Sequence, residues 1–237
     1  SHLRRSLRST QVVFCQTEVA RQRLTKTYGL PLLPEVIPNR LSRDWWDGRA
    51  DEAKPARLEG FEDRFKLFVP TRYYAHKNLE IIPMLIERHG GDLKDIVFVL
   101  TLSAVDRGGA GRLLRRIERA SPGAGRLAVG QLGQEELRAY YRHTDALFLP
   151  TLLESFSLSY LEAMRSGRPI LTSDRDFARA VCGDAALYFD PLDVGGIFRG
   201  IRALADSRAL REGLVAAGRE RLAQMPDSWD DIGASII

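Results

Sequence analysis

Residues 144–173 read TDALFLPTLLESFSLSYLEAMRSGRPILTS and contain one complete strand–helix–strand unit. The apolar run DALFLP has the length of a strand, and the run RPILTS at the other end has the same character. Between them, apolar residues recur at helical spacing, which predicts a helix over residues 157–167. Strands that are apolar on both faces and are separated by a helix are typical of a parallel sheet covered on both sides.

The same alternation extends over the chain from residue 65 onward. Further strands are predicted at FKLFVP (65–70), DIVFVL (95–100), GRLAVG (125–130) and AALYF (185–189). Further helices are predicted near residues 77–89, 108–120, 134–142 and 176–181, with two more after residue 193. Joined by right-handed crossovers, these elements predict an α/β fold with a doubly wound, Rossmann-like parallel sheet.

The residues before 65 form two segments. A short strand, VVFCQ (12–16), precedes a helix that Thr17 opens as N-cap and that ends near Gly29. The stretch 31–64 contains four prolines and the pair Trp45–Trp46, which predicts a linker. We expect the two tryptophans to pack the linker on the domain, with an acceptor or partner contact as the alternative.

The composition favours a globular protein and leaves several kinds of partner open. Of the 237 residues, 44% are hydrophobic, and no apolar run approaches the roughly 20 residues that span a bilayer. Cys15 and Cys182 lie in apolar settings without metal-ligand spacing, which predicts buried free thiols in a reducing compartment. The net charge of +4 would attract the phosphates of a small ligand, an acidic membrane surface or nucleic acid.

Two cations follow the first strand of the repeating region. Arg72 and Lys77 lie five residues apart in TRYYAHKN (71–78), which leads into a helical pattern. Ligands of parallel sheets bind at the carboxyl ends of the strands, where helix N-termini offer free amides, so this pair suits a diphosphate. The alternative is that both are ordinary solvated charges.

Two carboxylates follow the strand DALFLP. Glu154 and Glu162 are eight positions apart, which on a helix is an advance of about 12 Å and a return to nearly the same face. Both could therefore address one extended ligand, and the amides between them could meet an anion. These amides belong to Ser155, Phe156, Ser157 and Leu158. Alternatively, Glu154 balances a helix dipole and Glu162 is a surface residue, beside a core stripe of Phe156, Leu158, Leu161 and Met164.

These motifs, in this order, resemble the signature of the group 1, or family 4, glycosyltransferases. The family's Glu-x7-Glu motif, small-residue turn and following strand match residues 144–173. GDAALYFDPLD (183–193) and VIPNR (36–40) are similar to further family segments, and the pair Arg72 and Lys77 resembles the family's diphosphate clamp. The matches cover nearly the whole chain, which resembles the C-terminal, donor-binding half of a GT-B-fold enzyme.

The resemblance implies a role for each matching residue. Arg72 and Lys77 would hold the donor diphosphate. Glu154 would contact the transferred sugar near the reacting centre, and Glu162 would accept hydrogen bonds from the ribose hydroxyls. Leu132, in the turn after GRLAVG, would contact the base, and the amides of residues 155–158 would contact sugar and phosphate.

One departure from the family pattern concerns the turn between the glutamates. The family usually has glycines where this sequence has Ser155 and Ser157. Because serine has a Cβ, the closest approach of the backbone to the sugar is altered, so the resemblance leaves the donor sugar open. The base remains open among uridine, guanosine and adenosine.

The resemblance also implies the reaction and its setting. It implies metal-independent transfer, with retention, from a nucleoside-diphosphate sugar to a carbohydrate or lipid-linked acceptor, with no cofactor and no nucleic acid as partner. The expected context is polysaccharide or lipopolysaccharide biosynthesis in the cytoplasm, or at the inner face of the membrane. Residues 1–30 would end a missing N-terminal domain, and residues 65–225 would bind the nucleotide sugar. Residues 226–237 would form a closing helix toward that missing domain.

Other readings of the same motifs stay open. Another GT-B enzyme, such as a nucleotide-sugar epimerase or a sugar phosphorylase, would be recognised by its products. A non-catalytic nucleotide-sugar-binding module would be recognised by a silent Glu154→Ala variant. A Rossmann dehydrogenase ranks last, because no GxGxxG follows the first strand of the repeating region.

Overall fold

The computed structural model describes residues 2–30, 33–41, 52–103, 108–120, 125–225, 229 and 232–233. The strands are β1 (Phe14–Cys15), β2 (Glu35–Val36), β3 (Phe65–Val69), β4 (Ile96–Leu100), β5 (Arg126–Ala128), β6 (Ala146–Leu149), β7 (Ile170–Ser173) and β8 (Ala186–Phe189). The helices are α1 (His2–Ser9), α2 (Glu18–Tyr28), α3 (Ile81–His89), α4 (Gly109–Ala120), α5 (Gln134–His143), α6 (Leu158–Arg165), α7 (Asp176–Cys182), α8 (Val194–Asp206) and α9 (Arg208–Ala223).

Strands β3 to β8 form one sheet in the order β5–β4–β3–β6–β7–β8, and every neighbouring pair is parallel. The chain builds outward from β3 to one edge and then returns to place β6 on the other side of β3. The strand order therefore reverses between β3 and β6, and such a reversal opens a crevice at the carboxyl ends of the strands. The predicted doubly wound α/β fold is confirmed, and each of these six strands lies within its predicted run.

Both faces of the sheet are buried, because alternate strand residues enter two separate apolar layers. Phe98 and Phe148 join the layer formed with α3, α4 and α8, whereas Phe68 and Leu147 join the layer formed with α5, α6 and α7. With helices on both sides, strands β4, β6 and β7 are buried at every position. This explains why the strands read as continuous apolar runs rather than as alternating patterns.

The N-terminal segment confirms its predicted helix. Thr17 has an extended backbone and its Oγ1 accepts a hydrogen bond from the amide of Ala20 at 3.1 Å, while Gly29 ends α2 in the left-handed conformation at φ 57°. Strand β1 pairs in parallel with β2, so the two form a separate small sheet. Helix α1 and strand β2 were not predicted, because neither short segment carries a clear apolar period.

The stretch 31–64 is only partly a linker. It begins with β2 and ends with a 3-10 turn at Ala56–Leu58, in which Leu58 is fully buried in the layer beneath α5 and α6. Its last residues therefore belong to the packed domain. The pair Trp45–Trp46 lies outside the described residues, as does most of the closing helix predicted at 226–237.

Burial of both cysteines is confirmed. Cys15 and Cys182 are free thiols, and burial raises the pKa of each. No helix in the described part of the chain is long and apolar enough to span a bilayer.

Candidate functional site

The loops that follow β3 and β6 meet at the point where the strand order reverses. The amide of Leu152, after β6, donates a 2.7 Å hydrogen bond to the carbonyl of His76, after β3. One residue further along the first loop, Lys77 Nζ forms an ion pair with Glu154 Oε1. Each of the two side chains is only 17% exposed. The structure thus joins two of the predicted site residues, 77 positions apart in sequence, at the carboxyl edge of the sheet.

Lys77 is held by a turn and not by the helix that follows it. It ends a 3-10 turn at Ala75–Lys77, and Asn78 then adopts the left-handed conformation at φ 54°. Asn78 Nδ2 donates to the carbonyl of Pro191 at 3.0 Å, which fixes the turn against the loop after β8. The amides of Ile81 and Ile82 donate to carbonyls of the same turn region. The expectation that α3 supplies free N-terminal amides beside Lys77 is therefore wrong.

Arg72 and Leu132 line one cleft of about 760 Å³. The cleft lies between the loops after β3, β4 and β5 and the first residues of α4, and it includes Tyr74, three residues before Lys77. Arg72 is exposed and forms no ion pair with any described residue. A cleft lined by both a cation and an apolar residue suits a ligand with a charged part and a flat part.

Tyr73 packs in this cleft against the first residue of α4. A Cβ added at Gly109 would lie 1.9 Å from Cε1 of the Tyr73 ring, whereas one added at the neighbouring Gly108 would meet no atom within 4 Å. The Tyr73 hydroxyl also donates to the carboxylate of Glu80. The Tyr73 side chain is therefore held by Gly109 of α4 and by Glu80, which precedes α3.

We expect Gly109→Ala to lower the free energy of unfolding by about 1–3 kcal/mol, because the added methyl group displaces the Tyr73 ring. Gly108→Ala is the matched control, since it adds the same methyl group into open space. Urea denaturation of both variants measures the difference. Equal stabilities would show that Tyr73 is not held by contact with α4.

Glu154 and Ser155 line a second cavity, which is also about 760 Å³ in volume. This cavity lies between the loop after β6 and helix α2, and Ser155 Oγ donates to Gln16 Oε1 at 2.8 Å across one side of it. Glu154 thus lines a cavity formed with the N-terminal segment while its carboxylate pairs with Lys77. The reaction centre that the resemblance implies would lie at this position, between the two cavities.

The turn after Glu154 keeps its predicted amides available. Helix α6 begins at Leu158, and Ser157 is its N-cap with no side-chain capping bond. Within residues 125–225, the amides of Ser155, Phe156, Ser157 and Leu158 donate to no backbone carbonyl. They remain candidates for an anion, as predicted.

Two expectations about this turn and helix are corrected. Because α6 begins at Leu158, Glu154 precedes the helix and the helical relation between Glu154 and Glu162 does not hold. Leu158 is 39% exposed and so lies outside the core, whereas Leu161 and Met164 are buried and Phe156 is partly buried as the stripe predicts.

Glu162 is buried beneath the surface of α6. It is 8% exposed, and Tyr141 Oη on α5 donates a 2.7 Å hydrogen bond to its Oε2. Burial raises the pKa of the Glu162 carboxyl, and the hydrogen bond from Tyr141 opposes that rise. The alternative of a surface glutamate is therefore wrong. Glu162 is also not among the described residues that line the two large cavities.

Replacing Glu162 with glutamine should stabilise the protein at neutral pH and lose that advantage in acid. Because its pKa is raised from 4.5, the folded state holds more protons than the unfolded state just above pH 4.5. Stability therefore falls as pH rises through that window, and glutamine does not titrate. The measurement is Tm at about pH 5 and about pH 8. Glu220→Gln, at an exposed position of α9, is the control. If Glu162→Gln raises Tm equally at both pH values, the prediction is contradicted.

The anion-binding groups of this site are cations and amides. Arg72, Lys77 and the amides of residues 155–158 could hold phosphate oxygens. Among the residues that the structure describes, no three His, Cys, Asp or Glu side chains lie close enough together to hold a metal ion.

A family model described as "Glycosyl transferases group 1" matches residues 52–221. The chain belongs to this family. A protein named glycogen synthase from Mycobacterium tuberculosis (strain ATCC 25618 / H37Rv) is 28% identical over 238 residues, which cover 96% of this chain and 53% of that protein. This chain thus spans about half the length of that curated relative.

Solved structures of glycosyltransferases share the fold. Sucrose-phosphate synthase from Thermosynechococcus elongatus superimposes with a TM-score of 0.82 at 19% identity, over 99% of this chain and 58% of that one. Anabaena HepE, solved in complex with UDP and glucose, gives a TM-score of 0.81 at 15% identity, over 98% and 63% of the two chains. The predicted family and the predicted likeness to one half of a GT-B fold are both confirmed.

Sequence reasoning missed three residues that shape the site of this group 1 protein. Tyr141 bonds to Glu162, Asn78 holds the turn that carries Lys77, and Tyr73 packs against α4. From the sequence, Tyr141 could be assigned only to a predicted helix, because its hydrogen-bond partner Glu162 lies 21 residues further along the chain. The asparagine after a cation in AHKN was a usable signal, since asparagine tolerates the left-handed conformation.

Proposed function

We propose that this chain is the donor-binding half of a retaining glycosyltransferase that uses a nucleoside-diphosphate sugar. The observation that carries the proposal is the Lys77–Glu154 pair at the reversal of strand order, adjoining the cleft that holds Arg72 and Leu132. Membership of the group 1 family supports the same function. The acceptor-binding domain would be the N-terminal part of the complete enzyme, which the family relatives' greater length supports.

The charges of the site suit a diphosphate bound across the reversal point. Arg72 has no carboxylate partner among the described residues, so its guanidinium is available to a phosphate. Lys77 is paired with Glu154 and would share its ammonium between that carboxylate and the incoming diphosphate. The amides of residues 155–158 would add neutral donors. Leu132 would then lie against the base, since it lines the same cleft as Arg72.

The same groups would assist the reaction. The bond between the sugar's anomeric carbon and the diphosphate breaks, and the acceptor oxygen forms the new bond on the same face of the sugar. The proton of the acceptor hydroxyl would pass to the departing diphosphate oxygen. Negative charge grows on the departing diphosphate, and cations fixed in a partly buried site stabilise that charge more than water does. Arg72 and Lys77 would supply this stabilisation, and Glu154 would contact the sugar beside them.

The ligand class and the setting follow from the same proposal. A structural neighbour bound to UDP and glucose supports a nucleoside diphosphate and a hexose as the two parts of the donor. The acceptor would be a carbohydrate or lipid-linked hydroxyl, and no cofactor or resident metal is required. Two buried free thiols support a reducing, cytoplasmic location, including the inner face of the membrane.

The decisive test of this function is the stereochemistry of the product. The complete enzyme, supplied with each nucleoside-diphosphate sugar and an acceptor hydroxyl, should form a glycoside whose anomeric configuration matches the donor, as read by proton NMR. The 237-residue chain alone should bind the donor and transfer nothing, because the acceptor is not held near it. An inverted product, or epimerised donor as the sole product, would refute the proposal.

A further inference from the structure

A cavity of about 520 Å³ lies at the edge of the sheet opposite the donor site. It opens where the central strands begin, since its lining includes Phe65 at the start of β3, Asp145 just before β6 and Pro169 just before β7. Helix α9 forms one wall. Four of the lining residues are arginines, namely Arg168, Arg208, Arg211 and Arg219.

The two acids that line this cavity already have cationic partners. Asp145 Oδ2 accepts a 2.7 Å hydrogen bond from the amide of Lys66 and lies 3.1 Å from Lys66 Nζ. Glu212 pairs with Arg208 at 2.7 Å, one turn apart on α9. Glu212 is therefore taken up by Arg208, while Asp145 pairs with Lys66 and also interacts electrostatically with Arg168.

Three of the arginines that line the cavity form no ion pair with a described residue. Arg168 donates from Nη2 to the carbonyl of Arg142, and its Nε is buried without a hydrogen-bond partner. Arg211 donates from Nη1 to the carbonyls that end α8 and stacks over the Phe65 ring at 5.5 Å. Arg219 is exposed and forms no ion pair with a described residue.

This arrangement differs from a solvated surface charge. The backbone bonds and the ring contact fix the guanidinium groups of Arg168 and Arg211, so little conformational entropy is lost when they meet a ligand. Guanidinium groups fixed in this way match the oxygens of a phosphoryl group.

We propose that this cavity binds a phosphoryl group, carried either by a small phosphorylated molecule or by a phospholipid headgroup. The site is independent of the proposed function, because it lies at the amino ends of the strands and the donor site lies at their carboxyl ends. Binding here leaves the donor cleft open. The ligand would therefore act as an effector or as an anchor, and not as a competitor of the donor.

Inorganic pyrophosphate is the probe for a soluble ligand. The chain should carry Arg72→Gln and Lys77→Gln, so that the donor site does not contribute, and binding is measured by calorimetry. In that background, Arg219→Gln should weaken pyrophosphate binding about tenfold, because one charge-assisted contact is lost. Arg199→Gln removes an equal charge from a side chain of α8 that is 74% exposed and lies outside the cavity, and it should leave binding unchanged.

A second variant and a second probe complete the test. Arg211→Gln should weaken binding at least as much, with thermal unfolding used to check that α8 remains folded. Sedimentation with phosphatidylcholine vesicles, with and without phosphatidic acid, tests whether the ligand is a phospholipid headgroup. Vesicle binding that requires both phosphatidic acid and Arg219 identifies a lipid source. Binding of pyrophosphate without binding to vesicles identifies a soluble source. Failure of both probes to bind, or equal binding by the Arg219→Gln and Arg199→Gln variants, overturns the proposal.

Discussion

Replacing Lys77 with alanine in the complete enzyme should lower turnover by on the order of 10²-fold or more. The ammonium group is only 17% exposed and lies at the carboxyl edge of the sheet, paired with Glu154. If the proposed function holds, a cation fixed there would stabilise charge on the departing diphosphate, and water that replaced it would have to reorganise to do the same. The measurement is kcat at saturating donor, because the loss is expected in the transition state and not only in binding.

Two further variants separate this role from a general loss of charge. Lys94→Ala removes a lysine from an exposed position after α3 and should leave kcat unchanged. Glu154→Gln removes the carboxylate partner, and the double variant with Lys77→Ala should be non-additive, since the two side chains act as one unit. If Lys77→Ala and Lys94→Ala turn over donor equally well, Lys77 has no part in the reaction.

Replacing Phe148 with alanine should destabilise the fold by about 3–5 kcal/mol. Its side chain on β6 is fully buried, and its ring centroid lies 5.8 Å from that of Phe98 and 5.7 Å from that of Phe189. Phe148 therefore joins the two halves of the sheet on either side of the reversal point. Typical domains have a total stability of about 5–15 kcal/mol, so this loss would unfold a substantial fraction of the protein if its stability lies at the lower end of that range.

Phe14→Ala is the matched control for that prediction, since it makes the same change at a side chain that is 47% exposed. It should cost less than about 1 kcal/mol, because little apolar area is removed from the core. Urea denaturation of both variants gives the free energies. A loss for Phe148→Ala no larger than for Phe14→Ala would show that the ring cluster does not hold the sheet together.

The sheet was predictable because its strands are buried on both faces. Runs such as DIVFVL and DALFLP are apolar at every strand position, and the structure places Ile96–Leu100 and Ala146–Leu149 within them. The cap at Thr17 was equally clear, since a threonine before an apolar helical pattern satisfies the first amides. Each of these patterns involves only residues that are neighbours in sequence, and each is sufficient to predict a strand or the start of a helix.

The contacts between elements were less predictable. Nothing in the order of residues shows that the loops after β3 and β6 are neighbours, because that follows from the reversal of strand order. The start of α6 at Leu158 separates Glu154 from the helix that carries Glu162, and burial pairs Glu162 with Tyr141. Helix starts depend on a few backbone angles, and burial depends on packing across the fold, so neither is encoded in the spacing of two glutamates.

The sequence predicted which residues would form the site, but only part of how they are arranged. Arg72 and Leu132 share a cleft, and Lys77 meets Glu154, as a shared ligand would require. Strand β1 was predicted, but strand β2 and its pairing with β1 were not, since a two-residue strand carries no period. The second cavity beside Glu154, formed with α2, could therefore not be anticipated.

The most direct test of the donor site is calorimetric titration of UDP, GDP and ADP into the 237-residue chain and into its Arg72→Gln/Lys77→Gln variant. We expect at least one of the three to bind the unmodified chain and to bind the variant on the order of 10²-fold more weakly, because two charge-assisted contacts to the diphosphate are lost. Nucleoside diphosphate that binds both proteins equally, or neither of them, would contradict a diphosphate site at the reversal of strand order.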